Sequence, residues 1–326
     1  MALARDGRLR HVLPWVVSAA LLAYAFGWAT DWSRLGQAMA RANVPLFLLC
    51  ATADRLAFFG IWSWLWAAAL RRFVADDVPT SSVFAIRGGS KLLRTVSNPL
   101  SDAAFFLGLV RLVGGRFEAV LAAAIVPAVT HFVIMAVQMT VVLPFLGEAR
   151  RDVLVGAGAA WAILLGGAAV TGLSARGVLR WRGAAAVRAW LERFPLRELW
   201  PFWIGFTGLA IFDVLIQGLA SRAFGVKIGW VELAARLPLV YFSFLVPTLG
   251  NFGTREVAWK TLFSGSGTPD QLVAYAFAVN AIFLVLNLLL GVLFLPRALE
   301  LAAAVRSARR TGAPLARPPL HDPTDQ

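Results

Sequence analysis

Charge is scarce in this sequence, and so are most residue types that carry soluble chemistry. Of 326 residues only 15% are Asp, Glu, Lys or Arg, where a soluble domain has nearer a quarter. The single cysteine, Cys50, lies in an apolar run. That excludes an internal disulfide and any cysteine-rich metal site. The three histidines, His11, His131 and His321, are scattered, so no metal cage is expected. No phosphate-binding loop, no G-x-S-x-G and no H-E-x-x-H occurs, and no cofactor is expected. The period-2 alternation of a membrane β-barrel is also missing.

What is abundant is apolar. Hydrophobic residues make up 59% of the chain, mean hydropathy is +0.70, and long apolar runs recur from Val12 to Leu295. This predicts an all-α polytopic membrane protein. The net charge of +13 then reads as Lys and Arg gathered in cytoplasmic loops, where they attract anionic lipid. Nucleic acid is not expected as a partner, since no soluble basic domain is present.

Six segments are long enough to cross: about 12–29, 46–70, 118–146, 153–173, 199–222 and 270–296. The first has a basic head, and Trp28 and Trp32 suit a membrane–water boundary, so it reads as an uncleaved span. Two more segments, about 83–112 and 230–263, are apolar but broken. One holds Gly88, Gly89, Lys91, Arg94 and Pro99; the other holds Pro238, Pro247, Gly250 and Gly253. Full crossing of both would export the arginines of 174–198. Re-entrance keeps them inside, so both segments read as re-entrant helical hairpins and both termini as cytoplasmic. Within that loop, Val187, Trp190, Leu191 and Phe194 follow helical spacing, which predicts an amphipathic inner-leaflet helix over about 177–197. Residues 1–11 form a cytoplasmic N-terminus, 12–296 a single membrane domain, and 297–326 a basic tail expected to be disordered.

An internal repeat is visible. His131 and Gln138 follow Pro99 at almost the spacing with which Asn280 and Asn287 follow Pro247, and each pair is seven apart, on one helix face. Asp54 precedes the first broken segment as Asp213 precedes the second. Repeat one spans about 46–146 and repeat two about 199–296, in opposite orientations. Inverted repeats with interrupted helices mark many secondary transporters.

Ionisable residues at membrane depth are costly and point to function or pairing. The candidate substrate-binding residues are Arg255, Glu256, Pro247, Gly250, Asn251, Gly253, Asp213, Asp54, Asp102, Arg94, His131 and Asn280. Arg255 would grip a phosphate with its forked donors. Glu256 would couple a proton or orient Arg255, and the two could equally be a buried pair fixing the hairpin. Asp213 or Asp54 would pair with Arg255 or Arg94. For His131, Gln138, Asn280 and Asn287 the plainer role is interhelical hydrogen bonding. For Lys91, Arg94 and Arg111 it is snorkelling to the inner interface.

The pattern Pro247-x-x-Gly250-x-x-Gly253-x-Arg255-Glu256, after an apolar run and before a helix, a Gly-rich turn and a last span, resembles the lysylphosphatidylglycerol synthase transmembrane-region family, also described as flippase-like. The likeness covers about 10–300. It implies lipid movement between leaflets of the cytoplasmic membrane. In that family aminoacyl transfer belongs to a separate soluble domain, which this sequence is not expected to carry, so no enzyme activity is expected. The first repeat departs from the family pattern, with Ser101 and Asp102 in "SNPLSDAAFFLGLVR" near the usual Gly and acid. The expectation is a transporter or flippase for a lipid with a polar, phosphorylated headgroup, with anionic membrane lipids, a second copy or a lipid-synthesis protein as partners. The alternatives are an intramembrane lipid-modifying enzyme and a non-catalytic scaffold for lipid, hopanoid or glycan-lipid synthesis.

Overall fold

The computed structural model describes residues 32–94, 98–176, 196–244 and 252–311. The expected span at 12–29 and nearly all of the amphipathic segment at 177–197 lie outside them. Ten α-helices are described: α1 (Trp32–Ala40), α2 (Val44–Phe73), α3 (Thr80–Arg94), α4 (Asn98–Leu112), α5 (Phe117–Val142), α6 (Arg151–Ala175), α7 (Trp200–Arg222), α8 (Trp230–Ser243), α9 (Thr254–Leu262) and α10 (Pro269–Thr311). Helices at α2, α5, α6, α7 and α10 are long and apolar enough to cross a membrane. The protein is all-α and polytopic. α3, α4, α8 and α9 have at most 15 residues each, about 22 Å or less, and none alone covers a hydrocarbon core of about 30 Å.

The element series α2, α3–α4, α5 recurs as α7, α8–α9, α10. Corresponding first helices run antiparallel. At one end the Asn43 N–H donates to the Ala223 carbonyl over 2.8 Å; at the other, Leu65 closes on Gly205. The pairing of the remaining helices is reciprocal: α3 packs on α10, and α8 packs on α5. Gln138 on α5 fixes the second contact by donating to the Ala234 carbonyl of α8 over 2.7 Å.

Apolar residues gather in two main cores at opposite ends of the α2–α7 pair. One joins Phe47 and Cys50 of α2 and Ala220 of α7 to Leu233, Leu237, Trp259 and Phe263 of the second hairpin. The other joins Leu65 and Leu70 of α2 and Phe202 and Phe206 of α7 to Val83, Phe105 and Leu109 of the first. The two hairpins therefore pack from opposite ends, and both reach the middle of α2.

Three sequence expectations are corrected here. Gly88 and Gly89 do not break their segment: α3 continues through them to Arg94. The glycines let α3 approach α10, since a Cβ on Gly88 would meet Phe294 at 2.4 Å and one on Gly291 would meet the Leu92 backbone N at 2.9 Å. Small residues serve close packing between membrane helices. Pro238 likewise lies inside α8, which continues to Ser243. Finally, α10 runs on past Pro296 to Thr311, through the strong helix formers of "ALELAAAVRSARR".

Gly88→Val and Gly291→Val are each expected to destabilise the folded protein by about 1–3 kcal/mol through overpacking. Gly166→Val, where an added Cβ meets nothing within 4 Å, is the neutral control. Thermal unfolding of the three variants in detergent checks this.

Candidate functional site

The interrupted helices end at a shared cavity. Arg94, the last residue of α3, lines it from one side, and Phe244 and Arg255, at the end of α8 and the start of α9, line it from the other. Mid-helix residues of α2, from Asp54 to Trp66, form its floor, and α5 and α10 add His131, Asn280, Phe283 and Asn287. Its volume is about 670 Å³.

The local fold at Arg255 follows from two neighbours. Gly253 has φ +85°, a left-handed value that favours glycine, and this lets the chain turn sharply into α9. Its N–H donates to Glu256 Oε2 over 2.7 Å, while Asn280 Nδ2 on α10 donates to Glu256 Oε1 over 2.9 Å. Both oxygens of a carboxylate with 0% exposure are thus held in a helix cap tied to the last span. Glu256 and Gly253 stand behind the cavity wall.

Capping fixes the residue before it. The Arg255 guanidinium lies 4.8 Å from the Phe244 ring centroid and 5.0 Å from that of Phe283. The residue is only 5% exposed, and its Nε has no hydrogen-bond partner. Aromatic faces attract a cation, but they accept none of its directional hydrogen bonds.

Arg255 is not the sole cation. Arg55, Arg87, Lys91 and Arg94 line the same cavity. Arg87, Lys91 and Arg94 are spaced i, i+4, i+7 on α3, one helix face. Arg87 lies 5.5 Å from the Trp62 centroid and 5.2 Å from that of Phe105, also with an unpartnered Nε. Arg55 donates through both Nε and Nη2 to Asn287 Oδ1 and lies 5.2 Å from the Phe283 centroid. The charges feel one another: Arg94 acts on Arg55, Arg87 and Lys91, and Arg255 acts on Arg55 and Arg94. Among the described residues, ion pairs form elsewhere, as in Arg236 with Asp152 and Glu232 and in Arg72 with Glu198, and none includes these five cations.

A carboxyl layer lies beside this cluster. Asp54 of α2 and Asp213 of α7 are each 3% exposed and interact electrostatically. Asp213 accepts from the Tyr241 hydroxyl over 2.6 Å, Asp54 accepts from Gln217 Nε2 over 3.3 Å, and the Tyr275 hydroxyl donates to Gln217. Asp54 lines the cavity; Asp213 does not, but its hydrogen-bond donor Tyr241 does. Both carboxyls sit in the field of Arg255. Among the described residues neither carboxylate forms a direct ion pair with Arg255 or Arg94, so the expected cross-pairing is not found.

Of the residues singled out from sequence, Arg255, Arg94, Asp54, Asp102, His131 and Asn280 therefore come together at the cavity. Pro247, Gly250 and Asn251 lie outside the described residues. His131 packs at 5.1 Å from both the Trp62 and Phe206 rings. Gln138, Asn280 and Asn287 make the expected interhelical hydrogen bonds. Arg87 and Tyr241 were not foreseen; the 87/91/94 spacing was the available signal for Arg87.

These roles separate in stability. Glu256→Ala leaves the buried Gly253 N–H without its Glu256 acceptor and removes one hydrogen bond of Asn280, at about 1–3 kcal/mol for such a buried group. Arg255→Ala removes a buried cation whose nearest partners are rings, and it is expected to leave thermal stability unchanged or raised. Unfolding of the two purified variants, measured side by side without added lipid, checks the contrast. Compared with known proteins, the chain matches no family model and no curated sequence.

Proposed function

We propose that this protein is a lipid transporter or flippase of the cytoplasmic membrane, moving a lipid with a phosphorylated headgroup between leaflets. The observation that carries the reading is the set of five cations at one cavity with no ion-pair partner among the described residues. Five cations without a direct ion pair, facing only two lining carboxylates, favour an anion supplied from outside. Guanidinium groups suit phosphate because they donate in a planar fork.

The fold supports the same reading. In our account α3–α4 and α8–α9 are re-entrant hairpins that enter from opposite faces of the membrane. Non-helical backbone at that depth is tolerated where it borders a polar cavity, and inverted repeats around a midplane site suit alternating access. Both termini lie in the cytoplasm. The headgroup occupies the cavity while its tail stays in lipid. The resemblance of the Pro247–Glu256 pattern to the flippase-like family points the same way.

Reconstitution into vesicles with labelled phosphorylated prenyl and glycerol lipids tests the proposal. Arg255→Ala is expected to slow leaflet exchange by at least about tenfold, equivalent to ~1.4 kcal/mol. Arg255→Lys should recover part of the rate, because Lys restores the charge without the fork. Arg297→Ala, at an exposed pair with Glu300, should exchange lipid like wild type. Wild-type exchange by folded Arg255→Ala would contradict the proposal.

A further inference from the structure

The cations fall into two sets on different elements. Arg87, Lys91 and Arg94 form a stripe on α3, and Arg55 and Arg255 project from α2 and α9. Each set contains one guanidinium held against aromatic rings, with an Nε that no partner satisfies: Arg87 in the first and Arg255 in the second. From these observations we infer that the cavity is built for a headgroup with two phosphoryl groups, a lipid diphosphate, one phosphoryl on each set. The inference rests on the reading that the cavity takes an anionic lipid headgroup.

Charge balance favours a headgroup that brings about two or more negative charges, a monophosphate or a diphosphate, over a diester, and the two donor sets distinguish the diphosphate. Among the described residues, Asp54 and Asp102 are the acidic residues lining the cavity, so five formal positive charges face two negative ones there. Asp213, one layer back behind Tyr241, offsets one more. A phosphodiester brings a single negative charge and leaves the excess standing in a low-dielectric site, where like charges repel strongly. A diphosphate monoester brings at least two, spread over oxygens that reach two separate donor sets. A cationic, aminoacylated headgroup would add to the excess. The volume, about 670 Å³, is that of an ordinary small-molecule site and admits the larger headgroup.

The spacing of the sets also matters. Arg55 and Arg255 share the Phe283 ring, at 5.2 and 5.0 Å from its centroid, and line the same cavity as the α3 stripe. A single phosphoryl group bound to one set leaves the guanidinium of the other facing its own repulsion. A bridging diphosphate relieves both.

Farnesyl diphosphate, farnesyl monophosphate and inorganic pyrophosphate, titrated into the purified protein in detergent, test this by calorimetry. The expected result is a farnesyl diphosphate Kd at least about tenfold below that of the monophosphate. Arg94→Ala should weaken farnesyl diphosphate at least about tenfold more than it weakens the monophosphate. Arg255→Ala should weaken both ligands. Circular dichroism of each variant confirms folding. Equal affinity for the two farnesyl probes, lost together in Arg255→Ala, overturns the diphosphate assignment and leaves the anionic-lipid reading standing. Pyrophosphate binding as tightly as farnesyl diphosphate supports the two-phosphoryl site and overturns its lipid source. No binding of any probe to folded wild type overturns both.

Discussion

A buried guanidinium between two phenylalanine rings has lost most of its hydration and gained only the attraction of aromatic faces. Burial of an ion costs several kcal/mol even after relaxation, and a cation–π contact returns about 0.5–2 kcal/mol. Arg255 is in that position. Arg87, between Trp62 and Phe105, repeats it. The remaining cations add mutual repulsion.

The packing shows how these side chains are positioned. The Glu256 carboxylate is consumed in closing the turn at Gly253 and in binding Asn280, so α9 starts at a fixed point against α10. Arg255, one residue earlier, is then aimed at the cavity. On the other side, Gly88, Gly89 and Gly291 let α3 press against α10, which turns the Arg87–Lys91–Arg94 face toward the same space. Ser101 donates to the Ser90 carbonyl over 2.8 Å and holds α4 to α3. Stability at these points positions charge at the cavity.

Much of this was legible in the sequence, for physical reasons that can be named. Long apolar runs stand out because lipid demands them, and spans near 46–70, 118–146, 153–173, 199–222 and 270–296 are found as helices long enough to cross. The matched positions of Asp54 and Asp213 exposed the repeat, and the two residues interact electrostatically in the structure. Local chemistry was harder to read. Gly88 and Gly89 look like helix breakers until a neighbouring helix is seen to need their missing side chains. Gly253-x-x-Glu256 carries the spacing of a capping box, yet a charged pair beside Arg255 reads first as functional. Lys91 and Arg94 read as snorkelling residues because periodicity cannot tell an interface from a cavity. Tyr241 gave no signal, since its partner Asp213 lies on another helix.

The central claim is that the cavity between the hairpin ends receives a phosphorylated headgroup. The most direct measurement is an electron cryomicroscopy structure in nanodiscs loaded with farnesyl diphosphate. The account predicts phosphoryl density between the Arg255 guanidinium and the Arg87–Lys91–Arg94 face, with the prenyl chain leading out to lipid. A cavity filled by hydrocarbon, with Arg255 turned into a direct ion pair with Asp54 or Asp213 and the diphosphate elsewhere, would contradict it.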